Sequence, residues 1–132
     1  MEFARWAYRQ TAGSDLIVGP HHLAMQHTLQ RVMDGEIKRL IINVPPGYTK
    51  TLFATQYMIA RGLALNPKAR FLHLSYSHSL ALLNSSSARR IIKTKAYQDL
   101  WPMGMRDDTD SKAMWWTTAG GGVYATSSGG QV

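Results

Sequence analysis

The 132 residues include no cysteine. That excludes a disulfide framework and any thiolate metal site, and it fits a reducing compartment. No apolar run approaches the roughly 20 residues needed to cross a bilayer, so no membrane partner is expected. Residues 1–10 mix Arg5, Arg9 and Glu2 with aromatics and lack the charged-then-apolar layout of a signal peptide. Acidic residues are scarce, 8 against 15 basic ones, and the net charge is +7. Such an excess favours polyanionic partners through counterion release, and it equally suits a solvated surface. The histidines show no metal-ligand pattern. His21 and His22 are adjacent, so on a helix they point about 100° apart, and His27, His73 and His78 stand alone. The Gly-x-Ser-x-Gly of a nucleophile elbow is also missing around Ser75-Tyr76-Ser77, which reads as a strand cap despite His73 and His78 nearby.

What is present is a globular composition, 45% hydrophobic, with one low-complexity stretch at 120–130. Residues 20–34 read as a helix, because Met25, Leu29, Val32 and Met33 fall on one face and Gly35 follows as a stop. The run 39–44 is short, apolar and rich in β-branched residues, as in a strand buried on both faces. Pro45-Pro46-Gly47 ends it. A second helix is expected over 50–65, with Leu52, Phe53, Ile59, Ala60 and Leu63 inward and Asn66-Pro67 as its stop. A strand at 71–76 follows, then a helix capped by Ser77 or Ser79 and reaching Lys93. A shorter helix holds Tyr97, Leu100 and Trp101, and 113–118 with 122–126 form a hairpin. Strands alternating with helices imply an α/β fold with a mainly parallel sheet covered on both faces. Trp115, Trp116, Tyr124, Trp101 and Tyr97 read as core and hairpin packing rather than base-stacking platforms.

The most informative segment is Val44-Pro45-Pro46-Gly47-Tyr48-Thr49-Lys50-Thr51. A strand ending in a tight turn that feeds straight into a helix is the layout of a phosphate-binding loop. Backbone N–H groups and the helix N-terminus converge on phosphates, a lysine reaches the β- and γ-phosphates, and the next hydroxyl holds Mg²⁺. Lys50 and Thr51 stand at the lysine and hydroxyl positions. Val44 and Thr49 replace the two glycines of the usual pattern. If the loop needs positive φ at Thr49, threonine is strained there by about 1 kcal/mol or more.

Beyond the loop, several segments in order resemble the large terminase subunit of tailed phages. They are 39–51, then Phe71-Leu72-His73-Leu74-Ser75-Tyr76-Ser77, Ala88-Arg89-Arg90-Ile91-Ile92, Gly121-Gly122-Val123-Tyr124-Ala125-Thr126 and Gly129-Gly130. The likeness runs from about Pro20 onward. It implies a P-loop NTPase-like three-layer αβα domain at 20–132, preceded by an extension at 1–19 and ending in a β-hairpin. The implied function is the ATPase of a viral packaging motor, which drives double-stranded DNA into a capsid and carries an endonuclease in its second domain. ATP and Mg²⁺ are the implied cofactors. Double-stranded DNA, the portal and the small terminase subunit are the implied partners of a homo-oligomer in the host cytoplasm. By this likeness Pro46, Gly47, Tyr48 and Thr49 wrap the phosphates, Lys50 binds them and is the catalytic lysine, and Thr51 holds Mg²⁺. Gln26 is the implied adenine reader, and a half-buried helix glutamine is the plain alternative.

Two departures stand out. Many members carry a γ-phosphate-sensing arginine where Gly47 stands, with Arg89, Arg90 and Arg106 as conceivable substitutes. The acidic strand that serves Mg²⁺ and the attacking water is also missing, since no apolar strand precedes Asp107-Asp108. The expectation is therefore a sheet that is incomplete, in a fragment of a longer protein that binds nucleotide without turning it over and dissolves poorly alone. A helicase-like P-loop translocase and a basic DNA-binding module without ATPase activity are the competing readings.

Overall fold

The computed structural model describes residues 1–108 and 110–129. Gly130, the last glycine of the motif set, lies outside them. The chain packs as two compact units, residues 1–58 and residues from 59 onward. Among the described residues no helix is long and apolar enough to cross a membrane.

The first unit is helical. Helix α1 spans Glu2–Ala12 and buries Phe3, Ala4 and Ala7, of which Phe3 and Ala7 lie one turn apart. Within residues 1–19, this helix carries part of the unit's core. Helix α2 spans Pro20–Met33 and buries His22, Met25 and Leu29, while Val32 and Met33 of the expected face are half-buried. The helix that opens at Lys50 passes into a π-helical segment over Leu52–Tyr57. Phe53 and Tyr57, four residues apart, turn inward there with ring centroids 5.6 Å apart. Tyr57 meets Phe3 edge-on at 6.2 Å, and Phe53 stacks on His22 at 5.1 Å.

The run 39–44 corrects the sequence reading. It is irregular and no strand forms, and Ile41 is 85% exposed. Burial on both faces requires hydrogen-bonded neighbours at both edges, and the first unit holds no strand among its described residues. Local β-branched composition alone does not order such a segment.

The second unit is mixed α/β. Its elements are α3 (Met58–Leu65), β1 (Arg70–Ser75), α4 (His78–Ile92), α5 (Lys95–Leu100), β2 (Met114–Trp116) and β3 (Gly122–Ser127). The strand order is β1-β3-β2. β1 pairs with β3 in parallel, Phe71 opposite Val123 and His73 opposite Ala125. β2 pairs with β3 antiparallel, Trp115 opposite Val123, which makes the expected hairpin. The sheet is therefore mixed rather than mainly parallel. One face, with Phe71, His73, Val123, Ala125 and Trp115, is covered by helix. The other leaves Leu72 and Leu74 exposed, so helices do not cover both faces here.

Side-chain chemistry fixes these contacts. Ser77 caps α4 by accepting from the Leu80 amide, whereas Ser79 only meets the Ser77 hydroxyl. Thr94 caps α5 in the same way through the Tyr97 amide. Trp115 is fully buried and its indole N–H donates to Ser85 Oγ at 2.9 Å, joining the hairpin to α4. The Tyr97 hydroxyl donates to the Ala60 carbonyl at 2.7 Å, joining α5 to α3, and burial holds its pKa well above the ordinary value. Both aromatics are core residues, as their sequence context implied.

Candidate phosphate-binding turn

In the first unit, residues 45–52 line a single open cleft of about 340 Å³. Five of the expected site residues meet in it around the start of the helix: Pro46, Gly47, Tyr48, Thr49 and Lys50, joined by Thr51 as the sixth. The volume is at the lower end of ordinary ligand pockets. Gln26 is not among the lining residues. It sits on α2, half-buried, one turn after His22.

The turn is built by two left-handed residues. Gly47 has φ 85° and Thr49 φ 58°. For glycine this conformation is free. Any L side chain there would be strained. A Cβ on Gly47 meets nothing within 4 Å, so Gly47→Ala isolates the backbone term. It should cost the first unit about 1 kcal/mol, read as a lower denaturant midpoint at unchanged slope. A midpoint equal to wild type would show that the left-handed turn is not required.

Thr49 carries the strain anticipated from the sequence, and its side chain shows how it is held. His22 Nδ1 accepts the Gly19 amide at 2.9 Å. That leaves the proton on Nε2, which donates to Thr49 Oγ1 at 2.7 Å. Thr49 in turn donates its hydroxyl proton to the Tyr48 carbonyl at 2.7 Å. One neutral imidazole thus closes the N-terminus of α2 and clamps the turn. His22 is 5% exposed, and burial first, then the neighbouring His21, lowers its pKa below the ordinary value. His21 packs edge-on against Tyr48 at 5.0 Å. In sequence the adjacent histidines show no metal-ligand pattern, and their structural role does not follow from that spacing. The available signal was Gly19-Pro20 three and two residues before His22, a helix start with a polar side chain at the third helical position.

The first intrahelical bond after the turn runs from the Phe53 amide to the Thr49 carbonyl at 3.1 Å. The amides of Lys50, Thr51 and Leu52 are those a helix start leaves without intrahelical partners. Thr49 spends its hydroxyl on Tyr48 and His22, and Thr51 makes no side-chain cap bond. The arrangement presents backbone donors, a helix dipole, the exposed Lys50 ammonium and the exposed Thr51 hydroxyl at one opening. That set suits an anionic, oxygen-rich ligand. A π-helical turn directly behind it is a feature that often accompanies functional sites.

Of the conceivable arginine substitutes, Arg89 pairs with Asp110 and Arg106 with Asp108, all in the second unit. No protein-family model, curated protein or solved structure matches this chain.

Proposed function

We propose that the turn at 45–51 binds the phosphates of a nucleoside triphosphate, and that the chain is the ATP-binding part of a viral DNA-packaging motor. The observation that carries the first half is the left-handed pair Gly47 and Thr49, which delivers Lys50 and Thr51 to the opening of a helix at one cleft. Donors at a helix start favour phosphate. Lys50 supplies a mobile point charge for the terminal phosphates. The exposed Thr51 hydroxyl suits Mg²⁺, which takes one or two protein oxygens and completes its shell with phosphate and water. When bound, the metal would offset phosphate charge. The second half, with double-stranded DNA, a portal, a small subunit, oligomerisation and the host cytoplasm, rests on the sequence resemblance alone. So does the expectation that this chain, lacking an acidic strand, binds ATP without hydrolysing it.

Calorimetry of Mg²⁺-ATP binding to wild type and Lys50→Ala tests the reading. Lys50 is exposed, so its loss should leave stability within about 0.5 kcal/mol. Affinity should fall on the order of 100-fold, or about 2.7 kcal/mol. Equal affinity of the two proteins, or no binding by wild type, would overturn the proposal.

A further inference from the structure

A second cleft, in the second unit, is lined by Leu83, Ser86, Arg89, Arg90, Lys93 and Lys112 and measures about 350 Å³. Four cations of six lining residues is an unusual concentration. Ser86, Arg89, Arg90 and Lys93 follow the i, i+3, i+4, i+7 pattern of one helix face at the end of α4. Cations in a last helical turn are commonly explained by the helix dipole, and Arg89 and Arg90 fit that account. Lys112 does not, because it enters from the segment before β2.

Asp110 supplies the acid against this cluster. Its carboxylate bridges two of the cations, Arg89 Nη1 at 2.5 Å and Lys93 Nζ at 2.7 Å. Arg90 and Lys112 form no ion pair among the described residues. One carboxylate thus bridges two cations of the cleft lining, while the other two, Arg90 and Lys112, stay unmatched among the described residues. A phosphodiester group offers the same pair of acceptor oxygens as Asp110 and the same charge.

We propose that this cleft binds the phosphate backbone of a nucleic acid, with Asp110 as the resident counter-ion that the backbone displaces. The site is separate from the Lys50 turn and does not depend on nucleotide binding there. Arg89 and Lys93 exchange one carboxylate for one phosphate, and Arg90 and Lys112 gain partners they lack. The contacts are to backbone alone, so binding is indifferent to base sequence and steep in salt.

The test is fluorescence anisotropy of a short labelled DNA duplex across a salt series, using the full chain. Arg90→Ala/Lys112→Ala removes two exposed, unpaired charges and should reduce the log-affinity against log-salt slope by about 2, at about 0.9 per phosphate contact. Affinity at low salt should drop on the order of 10-fold. Lys38→Ala/Arg39→Ala removes the same charge from residues that do not line the cleft and should change binding far less. Asp110→Asn should tighten binding. Lys50→Ala should bind duplex nearly as wild type does. Equal losses in the two double variants would overturn the proposal in favour of net charge. Weaker binding by Asp110→Asn at an unchanged melting temperature would overturn the counter-ion role. Displacement of duplex by inorganic triphosphate at stoichiometric concentration would assign the cleft to free phosphates instead.

Discussion

Gly122→Ala should unfold the second unit. Gly122 opens β3 with φ 151°, a conformation that strains any L side chain. An added Cβ would stand 2.2 Å from the Trp115 carbonyl oxygen, 2.6 Å from the Trp116 ring and 2.8 Å from Trp116 Cα. Two of those three atoms belong to the backbone of the partner strand, so no rotamer change relieves the clash. The register Trp116 opposite Gly122 must break. With it go the anchorage of the Gly122 amide on the Ala69 carbonyl at 2.9 Å and the placement of Trp115 under α4. Overpacking and backbone strain together come to about 4 kcal/mol or more, comparable with the whole stability of a unit this size. The measurement is tryptophan fluorescence during denaturant unfolding. A cooperative transition within about 1 kcal/mol of wild type would refute the close approach.

His22→Ala should be nearly as costly to the first unit and should change its response to pH. The substitution removes the acceptor for the Gly19 amide, the donor to Thr49 and the ring stacked on Phe53. A lost cap, a lost buried hydrogen bond and a cavity together imply about 2–4 kcal/mol. Thr49 also loses the bond that holds it at φ 58°, so nucleotide affinity at the Lys50 turn should fall as well. The pH term has a definite sign. The folded pKa of His22 lies below its ordinary value of 6.5. The neutral form is therefore favoured by folding, and the stabilisation is complete above 6.5 and lost as pH falls through the lowered value. A proton on Nδ1 would face the Gly19 amide, donor against donor. Half-buried His73 is shifted the same way by desolvation and gives the second unit a term of the same sign. The difference between wild type and His22→Ala isolates the first. Denaturant melts at pH 7.5 and pH 5 should show wild type losing more stability than the variant on acidification. Parallel losses in both proteins would sink the idea.

The division between what sequence determines and what packing decides runs through particular residues. Helices α2, α4 and α5 are legible because their signals are local: apolar spacing, a hydroxyl before the first turn, a glycine or proline after the last. The hairpin is legible for the same reason, since glycines between two aromatic or β-branched runs encode the turn. The meeting of 46–51 at one helix start follows from contiguity, and the strain at Thr49 follows from its residue type. Residues 39–44 show the limit of that reading. Their composition favours a strand, but strand formation depends on neighbours that composition does not supply, and Ile41 remains in solvent. The same dependence decides the sheet, whose parallel and antiparallel pairs are chosen by which strand β3 meets at each edge. Helix α1 carries core side chains, and one of them, Phe3, meets Tyr57 far along the chain. The clamp of His22 on Thr49 joins residues 27 positions apart. A histidine's tautomer and its partner are set by burial and distance, and neither is written in the spacing of the chain.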